Sequence, residues 1–361
     1  MIQELNIALG SQHIALLEPM RLEFQTNNET ITAVKADFGY VHRGIERACA
    51  SKFKFKQVGY VVSRVCGLCS ITHASGYTFA IEDIFKAEIP KRAKYLRILA
   101  LELDRIHSHL LCLSHTAESA GFEALFMNIM KHRELVMEAQ ESLSGNRIHF
   151  DYLHIGGVNR DIDVEKSTFI IDRLTKLEEK LKEIDALFRS NYSLSLRYKG
   201  IGAMSQEDAL LLNATGPQAR ATGLPWDIRA IDDVLPYGEV GFSICTSSGG
   251  DIHARNDVRL QEVKNSLSMA KNVLQNLPEG AISTKIKGNP DGEAISRIEA
   301  PRGELSYIVI GEKKPILKRV RIKTPTYSNV ASFVHIMKNQ QYGDIPAIMA
   351  SFDPCMSCTA K

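Results

Sequence analysis

Two Cys-x-x-Cys pairs bracket the chain, Cys66 and Cys69 in RVCGLCSITH and Cys355 and Cys358 in FDPCMSCTAK. Cys66 and Cys355 stand 289 positions apart. A fold that uses the four thiols together must therefore bring its last residues back to its early interior. Closing a four-thiolate metal site is one reason to do so, because soft thiolates select nickel, copper(I), zinc or iron–sulfur centres. A structural zinc site is one reading of the set, and an iron–sulfur centre is another. Zinc ribbons place their knuckles within about 15–20 residues of each other, far closer than here. Neither reading explains the flanks RxCGxCxxxH and DPCxxC.

The chain has seven cysteines, and its first residues, MIQELNIALG, lack the charged and apolar regions of an export signal. Both features point to a reducing, cytoplasmic setting where thiols bind metals rather than pair. A formal charge of +2 is close to neutral, so nothing in the balance argues for a nucleic-acid partner, and none is expected. No apolar run reaches the ~18 residues that a membrane helix needs.

Hydrophobic periodicity predicts a mainly α fold with smaller β-sheets (α+β), in one interwoven domain over residues 1–361. MRLEF and TITAVKADF, joined by a turn at Asn27-Asn28-Glu29, alternate as strands. From Pro90 onward Leu96, Leu99, Leu103, Ile106, Leu110 and Leu113 form one helical stripe. A second helix covers about Phe122 to Leu143 and stops near Gly145. Ile170 to Ile184 and Leu260 to Leu277 give two more stripes, the last ending at Pro278. Segments 213–225 and 247–256 read as polar loops. ELSYIVI, the turn GEKKP and ILKRVRIKT read as a hairpin. A final helix over about Asn329 to Lys338 leads into a loop containing Pro346.

RVCGLCSITH and DPCMSC resemble the two cysteine motifs of the [NiFe]-hydrogenase large subunit, and the likeness spans nearly the whole chain. APRGEL at 300–305, TPTYSN at 324–329, HRGIE at 42–46 and LLEPMRLE at 16–23 also find counterparts in that family. GSQHIALLEP, SGNRIHFDYLHIGGVNRD, WDIR and GGDIHAR resemble instead the quinone-site subunit of respiratory complex I, which lacks the four cysteines. Carrying both sets resembles the membrane-associated, energy-converting hydrogenases of the Ech and CO-induced types.

The resemblance implies a nickel–iron centre whose iron carries cyanide and carbonyl ligands. Cys69 and Cys358 would bridge the two metals, with Cys66 and Cys355 terminal on nickel. It implies Cys355 as first base and Glu18 as next proton carrier, where a reading from residues alone makes Glu18 a surface charge on a strand end. Arg302 would lie over the iron, paired with Asp353, while Thr326 donates to the other diatomic ligand. His73 would hold a cysteine sulfur.

Glu46 matches a carboxylate that binds a separate magnesium or iron in family members. The chain has Lys361 where those members carry a histidine, so an ion pair of Lys361 with Glu46 is the alternative. Ser108 stands where soluble members place an aspartate, and Asp104 is a candidate to compensate. His107, His109, Cys49, Cys112 and Cys245 read as packing residues.

The implied partners are a small iron–sulfur subunit, a ferredoxin-like electron donor and an ion-translocating membrane arm. H2 and protons would be the substrates, and the chain would lie peripherally on the cytoplasmic face of the membrane. In many members a C-terminal extension is removed after nickel insertion. The chain ends where such processed members end.

Overall fold

The computed structural model describes residues 4–14, 16, 18–148 and 151–361. Of the segments quoted above, residues 1–3 with Ala15, Leu17, His149 and Phe150 lie outside the described residues. A three-stranded antiparallel sheet opens the chain: β1 (Glu4–Leu9), β2 (Arg21–Asn27) and β3 (Thr30–Asp37). Leu22, Phe24 and Thr26 alternate inward along β2. At the hairpin tip Asn28 adopts φ 51, a left-handed conformation that asparagine tolerates.

Five helices follow: α1 (Ile45–Cys49), α2 (Phe55–Val62), α3 (Ser70–Ile84), α4 (Lys91–Ser119) and α5 (Glu123–Ser144). The left-handed Gly145 ends α5. A short ribbon of β4 (Leu153–His154) and β5 (Gly157–Val158) precedes α6 (Val164–Ser190). Then come α7 (Tyr192–Tyr198), α8 (Gln206–Leu211), α9 (Pro217–Arg220) and the long α10 (Ile252–Gln275). A second antiparallel sheet consists of β6 (Asp291–Ala300), β7 (Gly303–Glu312) and β8 (Arg319–Lys323). The chain finishes with α11 (Pro325–Ser328), α12 (Val330–His335), α13 (Ile345–Phe352) and α14 (Met356–Thr359). The architecture is mainly helical with small sheets, as the patterning implied.

α4 is the axis of this arrangement, packed by α5, α10 and α13. Its stripe from Leu96 to Leu113 is fully buried, and each such side chain contributes about 1.5–3 kcal/mol. The helix is buried on its other faces too, and there it carries Arg97, Glu102, Arg105 and His109. Charges taken out of water must be paired, and these are.

Arg97 forks onto Glu82 of α3, at 2.6 and 2.8 Å. Glu102 accepts from the Tyr237 hydroxyl at 2.8 Å and pairs with Arg229 at 3.2 Å. Arg220 of α9 reaches both Glu262 of α10 and Glu299 of β6 at 2.8 Å. Asp227 closes the cluster by pairing with Arg229 at 2.7 Å. WDIR therefore supplies structural charges. GGDIHAR does so as well: Asp251 caps α10 through the Ala254 amide, and Arg255 holds the carbonyls of Gly202 and Gly250.

Several sequence expectations are corrected. Pro90 lies just outside α4, which starts at Lys91. Segments 213–225 and 247–256 are not loops throughout, since α9 and the start of α10 fall in them. The helix expected over Asn329 to Lys338 is found as the shorter α12, and the additional α11 precedes it. The segment around Pro346 is helical: Pro346 sits in the first turn of α13, where its missing N–H costs nothing. β1, β6, α2 and α3 are additional elements.

His109 Nε2 lies 2.8 Å from Glu262 Oε2. Burial pushes the imidazole down to about 4 despite that carboxylate. The unfolded chain takes this proton near 6.5, the folded one only near 4. Stability present above pH 6.5 is therefore lost as pH falls through about 4. Urea unfolding between pH 7 and 4 should show this decline, and His109→Gln should remove about one proton from the slope. An unaltered slope would contradict the assignment.

Candidate metal centre

The cysteines reach one another because two helix starts point at the same place. Cys69 is the residue capping the N-terminus of α3, and Cys355 caps α14. The start of α3 carries partial positive charge. The bond to Cys358 lowers the Cys69 thiol, yet the bond to Cys66 and burial push it well above its ordinary value. On the C-terminal side, Asp353 takes φ 58 and ends α13 in the left-handed region. Pro354 cannot continue the helix, so the chain turns and delivers Cys355 inward.

All four sulfurs are buried and free of disulfides. Cys66 lies 3.4 Å from Cys355, and Cys69 lies 3.6 Å from Cys358. Cys66, Cys69 and Cys358 fall within 4.8 Å of one another, the ligand cluster found among the described residues. The amide of Leu68 donates to Cys66 at 3.2 Å, and that of Cys358 donates to Cys355 at 3.4 Å.

Hydrogen bonds from Cys355, Cys358 and Cys69 hold the Cys66 thiol well below its ordinary value. The bonds that Cys358 shares with Cys355, Cys66 and Cys69, together with burial, push Cys358 well above it. A metal would take the place of the protons that these sulfurs now share. Soft donors at these separations fit a metal bound by all four thiolates.

His73, one turn into α3, is fully buried. Its Nδ1 lies 2.6 Å from the Tyr307 hydroxyl and its Nε2 lies 3.4 Å from Cys358 Sγ. Burial lowers the ring to about 4 and raises Tyr307. The phenol therefore donates to Nδ1, which leaves the Nε2 proton aimed at the sulfur. Tyr307 points inward from β7 by ordinary alternation, and no sequence motif marks it.

A polar lid covers the cage. Arg302 lies at the two-residue tip between β6 and β7, where Gly303 at φ 125 packs against Thr215. Its guanidinium donates to Asp353 Oδ1 at 2.7 Å, to the Asp353 carbonyl at 2.9 Å and to Ser108 Oγ at 3.1 Å. Burial opposes the charge, but Asp353 and the sulfurs of Cys355, Cys66 and Cys69 more than offset it. Asp353 Oδ2 is buried and has no hydrogen-bond partner among the described residues. Asp104 accepts from Thr72 at 3.2 Å instead of pairing with Arg302, so Ser108 alone fills the aspartate's place. Thr326 Oγ1 accepts from the Cys355 amide at 3.1 Å, which leaves its own proton free to donate.

Glu18 is half-buried beside the C-terminal pair. Its Oε1 lies 3.9 Å from Cys355 Sγ and accepts from Ser357 Oγ at 3.2 Å. Its Oε2 accepts from the amides of Met356 and Ser357. Burial, then the charge on Cys66, raises its carboxyl above the usual range.

Glu46 is not brought into the cage. It accepts from the Ile322 amide at 2.9 Å and faces Arg321 at 3.7 Å, whereas the Lys361 ammonium lies over the Tyr327 ring. The expected Glu46–Lys361 pair is replaced by these contacts. His107 Nδ1 takes a bond from Arg133 at 2.6 Å, and the ring also contacts the Gly67 backbone inside the first cysteine loop. Cys49, Cys112 and Cys245 are buried and lie outside the cage.

The family described as "Respiratory-chain NADH dehydrogenase, 49 Kd subunit" matches residues 120–289 and 283–361. "Nickel-dependent hydrogenase" matches residues 43–117. The chain belongs to the family of complex I 49-kDa subunits and [NiFe]-hydrogenase large subunits.

Within this family, the carbon monoxide-induced hydrogenase of Rhodospirillum rubrum is 35% identical over 98% of this chain and 99% of its own. The alpha subunit of the membrane-bound hydrogenase of Pyrococcus furiosus is 32% identical over 98% of this chain and 87% of its own. A component of the F(420)H(2) dehydrogenase of Methanosarcina mazei is 31% identical over 98% of this chain and 97% of its own. A chain in the structure of the membrane-bound sulfane sulfur reductase, an archaeal respiratory membrane complex, superposes with TM-score 0.93. It is 27% identical and covers 99% of this chain and 98% of that one.

Gly76 lies against the Tyr307 ring, and a Cβ there would sit 2.7 Å from Tyr307 Cδ2. Gly76→Val should displace the ring from His73 and cost about 1–3 kcal/mol by overpacking. Chemical unfolding with tyrosine absorbance reads both effects, and an unperturbed Tyr307 would show that the contact is slack.

Proposed function

We propose that this chain is the catalytic large subunit of an energy-converting [NiFe]-hydrogenase, running H2 ⇌ 2H+ + 2e− in either direction. The observation that carries the reading is the convergence of both Cys-x-x-Cys pairs into one buried cage beneath the Arg302–Asp353 lid. Cys66, Cys69, Cys355 and Cys358 would hold the nickel–iron centre. When bound, that centre polarises H2 for heterolytic cleavage.

The chain's own groups supply the remainder. Cys355 Sγ accepts a proton and passes it to Glu18 Oε1, 3.9 Å away. A carboxyl raised toward neutrality suits this exchange. Arg302 brings a positive charge that no physiological pH removes, suited to an anionic cyanide ligand. Thr326 has a hydroxyl proton for the neighbouring diatomic ligand. His73 orients Cys358 through Nε2.

Among the described residues, Cys49, Cys112 and Cys245 build no second cluster outside the cage. Electrons must therefore enter from a partner, which we take to be a small iron–sulfur subunit fed by a ferredoxin-like donor. Among the described residues no helix is long and apolar enough to cross a membrane. Ion translocation would therefore fall to membrane subunits, with this chain peripheral on their cytoplasmic face. The names of the Pyrococcus relative and of the sulfane sulfur reductase complex support a membrane-bound assembly. A second reading, a complex I-like subunit without hydrogenase chemistry, draws on the match of residues 120–289 and 283–361 to the 49-kDa family. A magnesium or iron at Glu46 would need ligands beyond those that Glu46 now meets.

The test is metal analysis of the purified native complex with an infrared spectrum over the cyanide and carbonyl stretching region. Equal nickel and iron at this subunit with those bands support the hydrogenase. Zinc alone, or no metal and no bands, would leave the complex I-like reading. Glu18→Gln should keep both metals and lower H2 turnover on the order of 10²-fold. Arg302→Lys should keep the charge, lose the forked bond to Asp353 and shift the cyanide bands. Activity should fall by roughly 10²-fold, and wild-type bands and turnover in this variant would remove Arg302 from the mechanism.

A further inference from the structure

The two cysteine segments come from opposite ends of the chain, and among the described residues no sheet ladder ties the last eight residues to the body. Side chains hold them instead. Glu18 takes the Met356 and Ser357 amides, Thr326 takes the Cys355 amide, and Thr324 Oγ1 donates to the Cys358 carbonyl at 3.1 Å. Each of these grips the C-terminal segment alone.

Arg43 is different. It sits between β3 and α1, outside both cysteine segments, and its guanidinium bonds both. Nη1 donates to the Arg64 carbonyl at 2.9 Å, and Nη2 donates to the Val65 carbonyl at 2.8 Å. The same Nη2 donates to the Ser357 carbonyl at 2.8 Å. The first two acceptors immediately precede Cys66, and the third lies between Cys355 and Cys358. Nε donates to the Val41 carbonyl at 3.2 Å and fixes the fork from behind.

We propose that Arg43 is the positioning residue that closes the cage, a latch holding the C-terminal cysteine pair at bonding distance from the N-terminal pair. The physical reason is geometric. A planar donor with several N–H groups in fixed directions holds three carbonyl oxygens from two segments in one set geometry. A lysine ammonium at the end of a flexible stem lacks that fork. The latch also lies on the solvent side, since Arg43 is exposed overall. Releasing it would open the C-terminal segment outward without disturbing α4 or the buried charge cluster.

The latch rests on the hydrogenase reading only for the identity of the metal it would retain. Its test is amide hydrogen exchange on the whole metal-free protein, following peptides that cover 64–70 and 354–361, with α4 as internal reference. Arg43→Met keeps the stem and removes the fork. It should accelerate exchange in residues 354–361 about tenfold while α4 stays at its wild-type rate, with Arg43→Lys intermediate. From the loaded complex, Arg43→Met should lose metal to a chelator faster by a similar factor. Unchanged exchange in both peptides would overturn the latch, and so would an equal rise in α4, which would mark general destabilisation. Zinc in the wild-type complex would sink the hydrogenase reading and leave the exchange result standing. A nickel–iron centre with no exchange effect would do the reverse.

Discussion

Four thiols held within reach of one another in a dry interior form the constraint on which the other features depend. Left to themselves, such groups repel as thiolates and lose hydration, so the surroundings must supply donors and positive charge. Amides from Leu68 and Cys358, the His73 ring, Arg302 and the start of α3 provide them. The left-handed Asp353 followed by Pro354 converts the end of α13 into the turn that delivers the second pair. The same aspartate pairs with Arg302, so one residue both shapes the backbone and anchors the lid.

Behind the cage lies a second stratum of buried charge, built from α4, α9, α10 and β6. Arg105, Arg220, Arg229, Glu102, Asp227, Glu262 and Glu299 satisfy one another across helices that would otherwise be free to slide. Replacing one member would strand its partner in low dielectric, a loss of several kcal/mol. The motifs resembling hydrogenases build the cage, while WDIR supplies Asp227 and Arg229 to this scaffold and GGDIHAR secures the start of α10. That division of labour fits a family whose members carry names as different as hydrogenase and F(420)H(2) dehydrogenase.

Legibility in the sequence followed the physics of exposure. The α6 stripe and the β2–β3 and β7–β8 hairpins each keep a wet side against which periodicity is visible, while the α4 stripe stands out because buried polar groups such as Arg97, Glu102 and Arg105 fill its other faces. α3 gave no such signal because Ser70 to Glu82 are buried on every face. α13 is short and apolar throughout, so Pro346 read as a breaker rather than as a first-turn residue. β6 turns Ser296 and Glu299 inward and Ile295 outward, so apolarity does not follow its alternation.

The sequence by itself determined the donor chemistry: two Cys-x-x-Cys pairs, an arginine in APRG, an aspartate before a proline, and a helix-dominated chain to hold them. These are local patterns, written in spacings of a few residues. Only the tertiary structure decided that Tyr307 orients His73, that Asp104 turns to Thr72, that Glu46 meets Arg321 rather than Lys361, and that Arg43 spans both cysteine segments. Such contacts join side chains to groups, often backbone carbonyls, far away along the chain. A carbonyl is the same at every residue, so no sequence pattern marks which one a distant guanidinium will meet.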